Sequence, residues 1–296
     1  MTHMSGGAAI VQSLLKHDID TVFGLPGAQI YGLFDALYKV GDKINVIGAR
    51  HEQATAYMAF GYAKSTGRVG IYTVVPGPGV LNTTAALCTA YGCNTPVLCI
   101  TGQVPSAYLG KGRGHLHELP DQLATMCTLA KWAARIEHPA DAPRMVAEAF
   151  RQMTSGRPGP VSMEMCCDTM ERKTDVTLWK PIQADPPNPI DPDQVVRAAK
   201  ILVEAKKPMI MVGGGSIEAG KEIIELAETL QAPIVSFRSG RGIVSDDHDL
   251  GLNLVAGYSL WHDTDVLLGI GTRLEVPFMR WPYQPKGLKV VRIDID

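Results

Sequence analysis

Short, uniformly apolar segments alternate with helix-like segments along the whole chain, and this alternation constrains the fold more than any other feature. The apolar runs at residues 69–75, 96–101 and 161–165 contain almost no charged side chains. Strands of this kind are typical of parallel sheets that are covered by helices on both faces, because neither face meets water. The sequence therefore predicts the α/β class, built from parallel-sheet three-layer domains.

A chain of 296 residues has room for two such domains. The first is predicted over residues 1–170, beginning with a helix capped by Ser5. Residues 171–190 contain several prolines and no hydrophobic periodicity, which predicts an extended linker. A second α/β domain is predicted over residues 191–296. Because the sequence stops directly after an apolar strand, we expect this second domain to be incomplete.

Charge and cysteine usage limit the partners and the compartment. The formal net charge of -2 provides no broad basic surface, so neither nucleic acid nor an anionic membrane is expected as a partner. The six cysteines show no C-x-x-C spacing and lie mostly in apolar runs. A reduced, cytoplasmic setting is therefore expected, and no run is apolar over the length that a bilayer requires.

The segment HEQAT at residues 51–55 places Glu52 at the start of a predicted helix, directly after a predicted strand. Open α/β sheets position ligand-binding groups at this point. A zinc-peptidase motif is excluded, because Thr55 stands where the second metal-binding histidine would be. Taken alone, Glu52 is better explained by a favourable interaction with the helix dipole.

The segment VVPGPGVLN at residues 74–82 also joins a strand to a helix, and its glycines allow a ligand to approach the backbone closely. It does not match the dinucleotide fingerprint, since Asn82 occupies the third glycine position and Pro78 lacks a backbone donor. The alternative is a tight turn without a ligand.

In the second domain, GSIEAGKE at residues 215–222 approaches the phosphate-binding P-loop pattern. Glu222 stands where Ser or Thr would ligate magnesium, and its carboxylate would repel phosphate. A glycine-rich turn, with or without a nucleotide beside it, is the better interpretation.

The loop GRGHLHE at residues 112–118 brings together Arg113, His115, His117 and Glu118. Such a mixture can bind an anionic substrate or relay protons near neutral pH. A solvated polar loop is the alternative, and no spacing here indicates a metal site.

The motifs taken together resemble a known family. FGLPGAQI, RHEQATAYMAFGYAKSTGRVG, VPGPGVLN, PVLCITGQVP and SGRPGPV occur in order between residues 23 and 161. They are similar to the pyrimidine-binding domain of thiamine-diphosphate-dependent enzymes of the acetolactate synthase and pyruvate decarboxylase type. The VGGGS turn and the terminal VVRIDID are similar to part of that family's Rossmann-like central domain.

The resemblance implies roles for five residues. Glu52 matches the family's catalytic glutamate, whose carboxyl group hydrogen-bonds a ring nitrogen of the cofactor's aminopyrimidine. Pro26 and Gly27 correspond to a turn that lies against the cofactor. Pro78 and Asn82 correspond to the loop that touches the pyrimidine.

His117 marks a difference from acetolactate synthases, which have a glutamine at this position in a Phe-Gln-Glu run. An imidazole exchanges protons with a carbonyl intermediate near pH 7, whereas an amide does not. We therefore expect His117 to be a second catalytic residue and the substrate or product to differ.

The cofactors follow from the same resemblance. Thiamine diphosphate is expected, with Mg²⁺ and the diphosphate held through a Gly-Asp-Gly run and a downstream Asn that these residues lack. The chain alone is therefore expected to hold no metal and to be inactive. Several family members carry FAD or another adenine nucleotide in the central domain, and the active site forms between subunits of a homodimer or homotetramer.

The resulting hypothesis is the N-terminal portion of a carboligase or decarboxylase that acts on a 2-oxo acid. A second hypothesis is a non-catalytic nucleotide-binding module that uses the GGGS turn at residues 213–216. A third, an NTPase, is disfavoured by Glu222.

Overall fold

The computed structural model describes residues 1–295, and the chain divides into two compact units, Met1–Pro186 and Pro187–Asp296. The strands of the first unit are β1 Thr2–Ser5, β2 Thr21–Gly24, β3 Asn45–Gly48, β4 Gly70–Val74, β5 Val97–Gln103, β6 Trp132–Ile136, β7 Val161–Cys166 and β8 Lys173–Val176. Its helices are α1 Gly6–Lys16, α2 Tyr31–Tyr38, α3 Glu52–Thr66, α4 Pro78–Asn82, α5 Thr84–Gly92, α6 Gln122–Cys127, α7 Ala142–Thr154 and α8 Cys167–Glu171.

Six strands of the first unit form a parallel sheet in the order β3-β2-β4-β5-β7-β6. Successive residues of β4 point to opposite faces, so that Ile71 packs with α1, α2 and α7, whereas Tyr72 packs with α3 and α5. Strands β4, β5 and β7 are buried along their full length. The predicted three-layer α/β architecture is therefore confirmed.

Two local predictions for the helices have different outcomes. Ser5 caps α1 as expected, since its Oγ accepts a hydrogen bond of 3.2 Å from the backbone N–H of Ala8. The helix into which the VVPGPGVLN segment leads is instead divided at Thr83. The Thr83 hydroxyl donates to the carbonyl of Val80 and accepts from the Tyr72 hydroxyl, and such local bonds compete with helical ones.

The start of the predicted linker is ordered. β8 pairs antiparallel with β1, with Thr2 opposite Val176 and Ser5 opposite Lys173. The N-terminal segment thus supplies a partner for residues that carry no hydrophobic periodicity of their own. Residues 177–191 have no regular secondary structure, so the extended segment is shorter than the predicted 171–190.

The second unit contains a five-stranded parallel sheet in the order β11-β10-β9-β12-β13. Its strands are β9 Pro208–Val212, β10 Ile234–Ser236, β11 Gly251–Leu252, β12 Val266–Ile270 and β13 Lys289–Ile293, and its α-helices are α9 Pro192–Val203, α10 Gly220–Leu230 and α11 Leu254–Trp261. Ile210 and Met211 belong to separate clusters on opposite faces of the sheet, so this unit is also layered.

In the first unit, β3, β2, β4 and β5 are neighbours, and their carboxyl ends meet at one edge. The segments that follow these strands contain Glu52, the turn near Pro26, the turn near Gly77 and the loop that leads to His117. Open α/β sheets bind ligands at this edge.

Candidate active site

Three backbone segments meet at the carboxyl edge of the six-stranded sheet. Gly77 has φ +61°, and a Cβ atom on it would lie 2.3 Å from the carbonyl oxygen of His117. At the end of β5, a Cβ atom on Gly102 would lie 2.1 Å from the carbonyl oxygen of Gln29. Both distances are far below van der Waals contact. Only glycine allows the turn after β4, the turn after β2 and the loop after β5 to approach so closely.

Glu52 is the first residue of α3, and His51 caps this helix by accepting a hydrogen bond of 3.2 Å from the Gln53 N–H at Nδ1. The Glu52 side chain is half-buried, and its Oε2 accepts a hydrogen bond of 3.0 Å from Asn82 Nδ2. Among the described residues, no hydrogen bond reaches Oε1. The carboxyl group is therefore oriented through one oxygen and has the other available for a ligand.

Helix α4 brings Pro78 and Asn82 beside Glu52. Gly77 precedes this helix, and Pro78 begins it at a position where the missing N–H leaves no bond unmade. A Cβ atom on Gly79 would lie 3.7 Å from Glu52 Cγ. The first turn of α4 therefore passes directly alongside the carboxyl-bearing side chain.

Val75 connects this region with the turn after β2. A Cβ atom on Gly27 would lie 2.5 Å from Val75 Cγ1, and one on Gly79 would lie 2.4 Å from Val75 Cγ2. The two methyl groups of one valine therefore fill the spaces beside both glycines. Pro26 is exposed at the front of the same turn. Val75 was not among the predicted site residues, although it lies within the VVPGPGVLN motif.

His117 is held by a residue that the sequence did not single out. Its Nδ1 lies 2.9 Å from Gln29 Oε1, and Gln29 Nε2 donates a bond of 2.7 Å to the Leu116 carbonyl. Gln29 follows the Pro26 and Gly27 turn, so this contact joins the loop after β5 to the turn after β2. The predicted residues thus lie in two groups, one around Glu52 and one around His117.

The other polar residues of the GRGHLHE loop have structural contacts. Glu118 Oε1 accepts from the backbone N–H of Gly112 at 3.0 Å, and Oε2 accepts from that of His115 at 2.9 Å. These bonds, first that from His115, hold the pKa of Glu118 below its usual range. The His115 ring lies 4.0 Å from that of Tyr108. Glu118 therefore closes the loop, and the predicted cluster does not converge on one point.

A buried polar network lies beneath the turns. Gln122 accepts a hydrogen bond of 2.8 Å from the Gly77 N–H at Oε1, and its Nε2 donates to the Gly102 carbonyl at 3.1 Å and to Glu164 Oε2 at 2.7 Å. Arg135 Nε donates to Glu164 Oε1 at 2.6 Å. Gln122 and Glu164 are nearly inaccessible to solvent. One glutamine therefore ties the turn after β4 to the ends of β5 and β7.

The groups around Glu52 can accommodate a flat, partly polar ring. Within residues 1–295, no group of three or more His, Cys, Asp or Glu side chains is placed to hold a metal. Glu52 Oε1 can pair with a ring nitrogen, and the Val75 methyl groups provide an apolar wall beside the first turn of α4. These donors and walls fit the aminopyrimidine of thiamine diphosphate.

The glycine turn of the second unit has a packing explanation. Gly215 N–H donates to the Gly271 carbonyl at 3.1 Å, and a Cβ atom on Gly213 would lie 2.3 Å from that same oxygen. Gly214–Ala219 form a 3₁₀ helix. The glycines are thus required where the ends of β9 and β12 touch, and nucleotide binding at this turn stays a prediction.

Across the described part of the chain, no helix combines the length and the apolar character needed to cross a bilayer.

Comparison with known proteins identifies related sequences for both units. The family described as "Thiamine pyrophosphate enzyme, N-terminal TPP binding domain" matches residues 4–125, and "Thiamine pyrophosphate enzyme, central domain" matches residues 195–296.

Among curated proteins, the chain is 34% identical over 313 residues to an acetolactate synthase of Arthrospira platensis, covering 99% of this chain and 53% of that protein. It is 32% identical over 299 residues to a probable 2-ketoarginine decarboxylase of Pseudomonas aeruginosa, with coverage of 99% and 53%. An acetolactate synthase large subunit of Haemophilus influenzae is 33% identical, with coverage of 100% and 53%. The chain thus spans about half the length of the curated relatives that it matches.

Proposed function

Because the chain belongs to the thiamine pyrophosphate enzyme family, we propose that it supplies the pyrimidine-binding side of an active site that converts a 2-oxo acid. Carboligation of the acetolactate synthase type and decarboxylation are the reactions we propose, since relatives with both names match nearly the whole chain. The observation that carries the proposal is the Glu52 carboxyl group, oriented by Asn82 at the carboxyl edge of the parallel sheet.

Glu52 has the central role in this proposal. When bound, thiamine diphosphate supplies a nucleophilic thiazolium carbon that attacks the carbonyl of the 2-oxo acid. Glu52 would hold a proton at Oε1 and share it with a pyrimidine ring nitrogen. Asn82 occupies Oε2 and so leaves only one oxygen for this contact. Glu52 and Asn82 together set the direction from which the carboxyl group approaches the pyrimidine nitrogen.

The surrounding residues would exclude water and place the ring. Val75 fills the space between Gly27 and Gly79, and Pro78 presents an apolar ring at the start of α4. Pro26 lies in the turn after β2, next to Gly27. We propose that these residues contact the two sides of the pyrimidine.

His117 would act on the substrate side. An imidazole, unlike an amide, can donate a proton to an oxygen that develops negative charge or remove one. We propose that this exchange distinguishes the reaction from that of acetolactate synthases with an amide at this position.

Further elements of the proposal concern residues beyond the pyrimidine site. Mg²⁺ and the diphosphate would be held by residues outside positions 1–296, so this segment by itself would be inactive. A homodimer or homotetramer is proposed as the working assembly, in the cytoplasm. FAD or another adenine nucleotide is an optional ligand of the second unit, which yellow colour and flavin absorbance of the purified protein would reveal.

The test is a titration of the protein, at its natural length, with thiamine diphosphate and Mg²⁺, followed by assays of 2-oxo acid consumption. Glu52→Gln is expected to lower kcat by about 100-fold or more, the usual contribution of a positioned acid or base. Glu137→Gln, an exposed glutamate of the same unit, is the matched control and should leave the rate unchanged.

Either of two results would contradict the proposal. One is a Glu52→Gln variant that keeps wild-type turnover. The other is a protein that binds adenine nucleotide but shows no affinity for thiamine diphosphate, which would favour the nucleotide-binding module instead.

A further inference from the structure

The contact between Gln29 and His117 determines which nitrogen of the histidine carries a proton. Gln29 has two polar atoms with opposite requirements, an acceptor Oε1 and a donor Nε2. Nε2 lies 2.7 Å from the carbonyl oxygen of Leu116, and Oε1 lies 2.9 Å from Nδ1 of His117. Both polar ends of the amide are therefore engaged by neighbouring residues of one loop.

The Leu116 carbonyl fixes the orientation of the amide. A carbonyl oxygen only accepts hydrogen bonds, so the atom of Gln29 that faces Leu116 must be the NH₂ group. Turning the amide over would place two oxygens against each other at 2.7 Å. Oε1 must then face His117, and because Oε1 only accepts, Nδ1 of His117 must be the donor.

The same backbone contacts keep the pair in place. Gln29 has φ +70° and His117 has φ +66°, a region that residues with side chains seldom adopt. The Gln29 carbonyl is pressed against Gly102, and the His117 carbonyl is pressed against Gly77. The backbones of both residues are thus packed against neighbouring segments, so the Nδ1 contact is held from both sides.

From this geometry we propose that Gln29 is a positioning residue that holds His117 in the Nδ1–H form and leaves Nε2 as the proton-exchanging atom. Whether the ring is neutral or charged, Nδ1 keeps its proton, and only Nε2 gains or loses one. Among the described residues, no side chain or backbone group hydrogen-bonds Nε2. The catalytic use of Nε2 rests on the function proposed above, whereas the tautomer does not.

The decisive experiment is long-range ¹H–¹⁵N correlation spectroscopy of the ¹⁵N-labelled protein without cofactor, above about pH 8, where ordinary imidazoles are neutral. The signals of His117 are assigned by their loss in His117→Gln. In the wild type we expect Nδ1 to show the shift of a protonated nitrogen and Nε2 that of an unprotonated one.

Two variants separate the hydrogen bond from simple packing. Gln29→Met keeps the length of the side chain but removes the acceptor, so the Nδ1–H pattern should be lost. Gln231→Met is the matched control, because Gln231 also has positive φ and donates to a carbonyl, that of Glu228, yet lies in the other unit.

An Nε2–H pattern in the wild type would overturn the proposal, as would an unchanged Nδ1–H pattern in Gln29→Met. In the active protein, Gln29→Met should lower kcat about tenfold or more while the affinity for thiamine diphosphate stays the same. If the wild type shows the Nδ1–H form but converts no 2-oxo acid, the proposed function fails and the assignment of the tautomer stands.

Discussion

Replacing Arg135 by methionine removes the charged partner of a buried carboxylate. The Glu164 side chain is 2% exposed and that of Arg135 is 20% exposed, with 2.6 Å between Nε and Oε1. Gln122 would still donate to Glu164, but the negative charge would have no cation beside it. Breaking a buried pair typically lowers stability by about 3–5 kcal/mol. Because water reaches part of Arg135, we expect the lower end, about 3 kcal/mol for the first unit.

The cysteines allow the stability of the first unit to be measured separately. All six lie within residues 88–167, and Cys99 is fully buried. Pulsed alkylation in increasing urea, read by mass spectrometry, reports the fraction of molecules in which Cys99 is accessible. With a urea dependence of about 2 kcal/mol per molar, a loss of 3 kcal/mol moves the midpoint down by about 1.5 M.

The control is Arg68→Met, which removes the exposed pair between Arg68 and Asp20, and it should lower stability much less than Arg135→Met does. Arg135→Met combined with Glu164→Leu should be less destabilised than Arg135→Met alone, because no unpaired charge is left inside. An Arg135→Met midpoint that moves no further than that of Arg68→Met would contradict this prediction, as would a double variant that is the least stable of the set.

Three further predictions concern packing, thiol reactivity and acid sensitivity. Gly77→Ala should destabilise the first unit by about 2 kcal/mol or more and lower its thermal midpoint, because its Cβ would meet a carbonyl at positive φ. Gly61→Ala, in open space within α3, should stabilise the unit by about 0.5–1 kcal/mol and raise the midpoint. Burial raises the pKa of Cys99 to about 11 and that of Cys166 to about 12, so iodoacetamide near pH 7.5 should leave both unmodified in the folded protein, as peptide mapping will show. The hydrogen bonds to Glu118 lower its pKa, so its contribution to loop closure is complete above the unfolded value of about 4.3 and is lost as the pH falls through the lower folded value. Proteolysis of the loop should therefore increase with acid in the wild type and less steeply in Glu118→Gln, and equal pH profiles would contradict this.

The layered fold was predictable from sequence, because buried parallel strands have a strong compositional signal. β4 and β5 follow directly from their apolar runs. β6, with the sequence WAARI, was missed, since four of its five residues are only half-buried and Arg135 interrupts the apolar pattern. β8 was read as linker because its order comes from pairing with β1, more than 160 residues away in the chain.

The site was predictable only in part for the same reason. Glu52 and Asn82 lie in recognisable segments, and the structure joins them by a hydrogen bond. Gln122 and Glu164 carry no local signal, since their partners are 20 to 61 residues distant in sequence. Gln29 lies within a motif, but its contact with His117 spans 88 residues. Such pairs depend on how the strand ends come together, which hydrophobic periodicity does not specify.

The position of Gln122 has a practical meaning for redesigning the loop that follows β5. Residues 106–114 are almost entirely exposed, but Ser106 is hydrogen-bonded to Asp168 and Gly112 to Glu118, so exchange is best confined to the residues between these two. Gln122 should not be exchanged, because its single amide group is hydrogen-bonded to Gly77, Gly102 and Glu164 at once. A loop graft from a relative should therefore keep a glutamine at that position, and a library of variants should treat it as the fixed boundary of the segment.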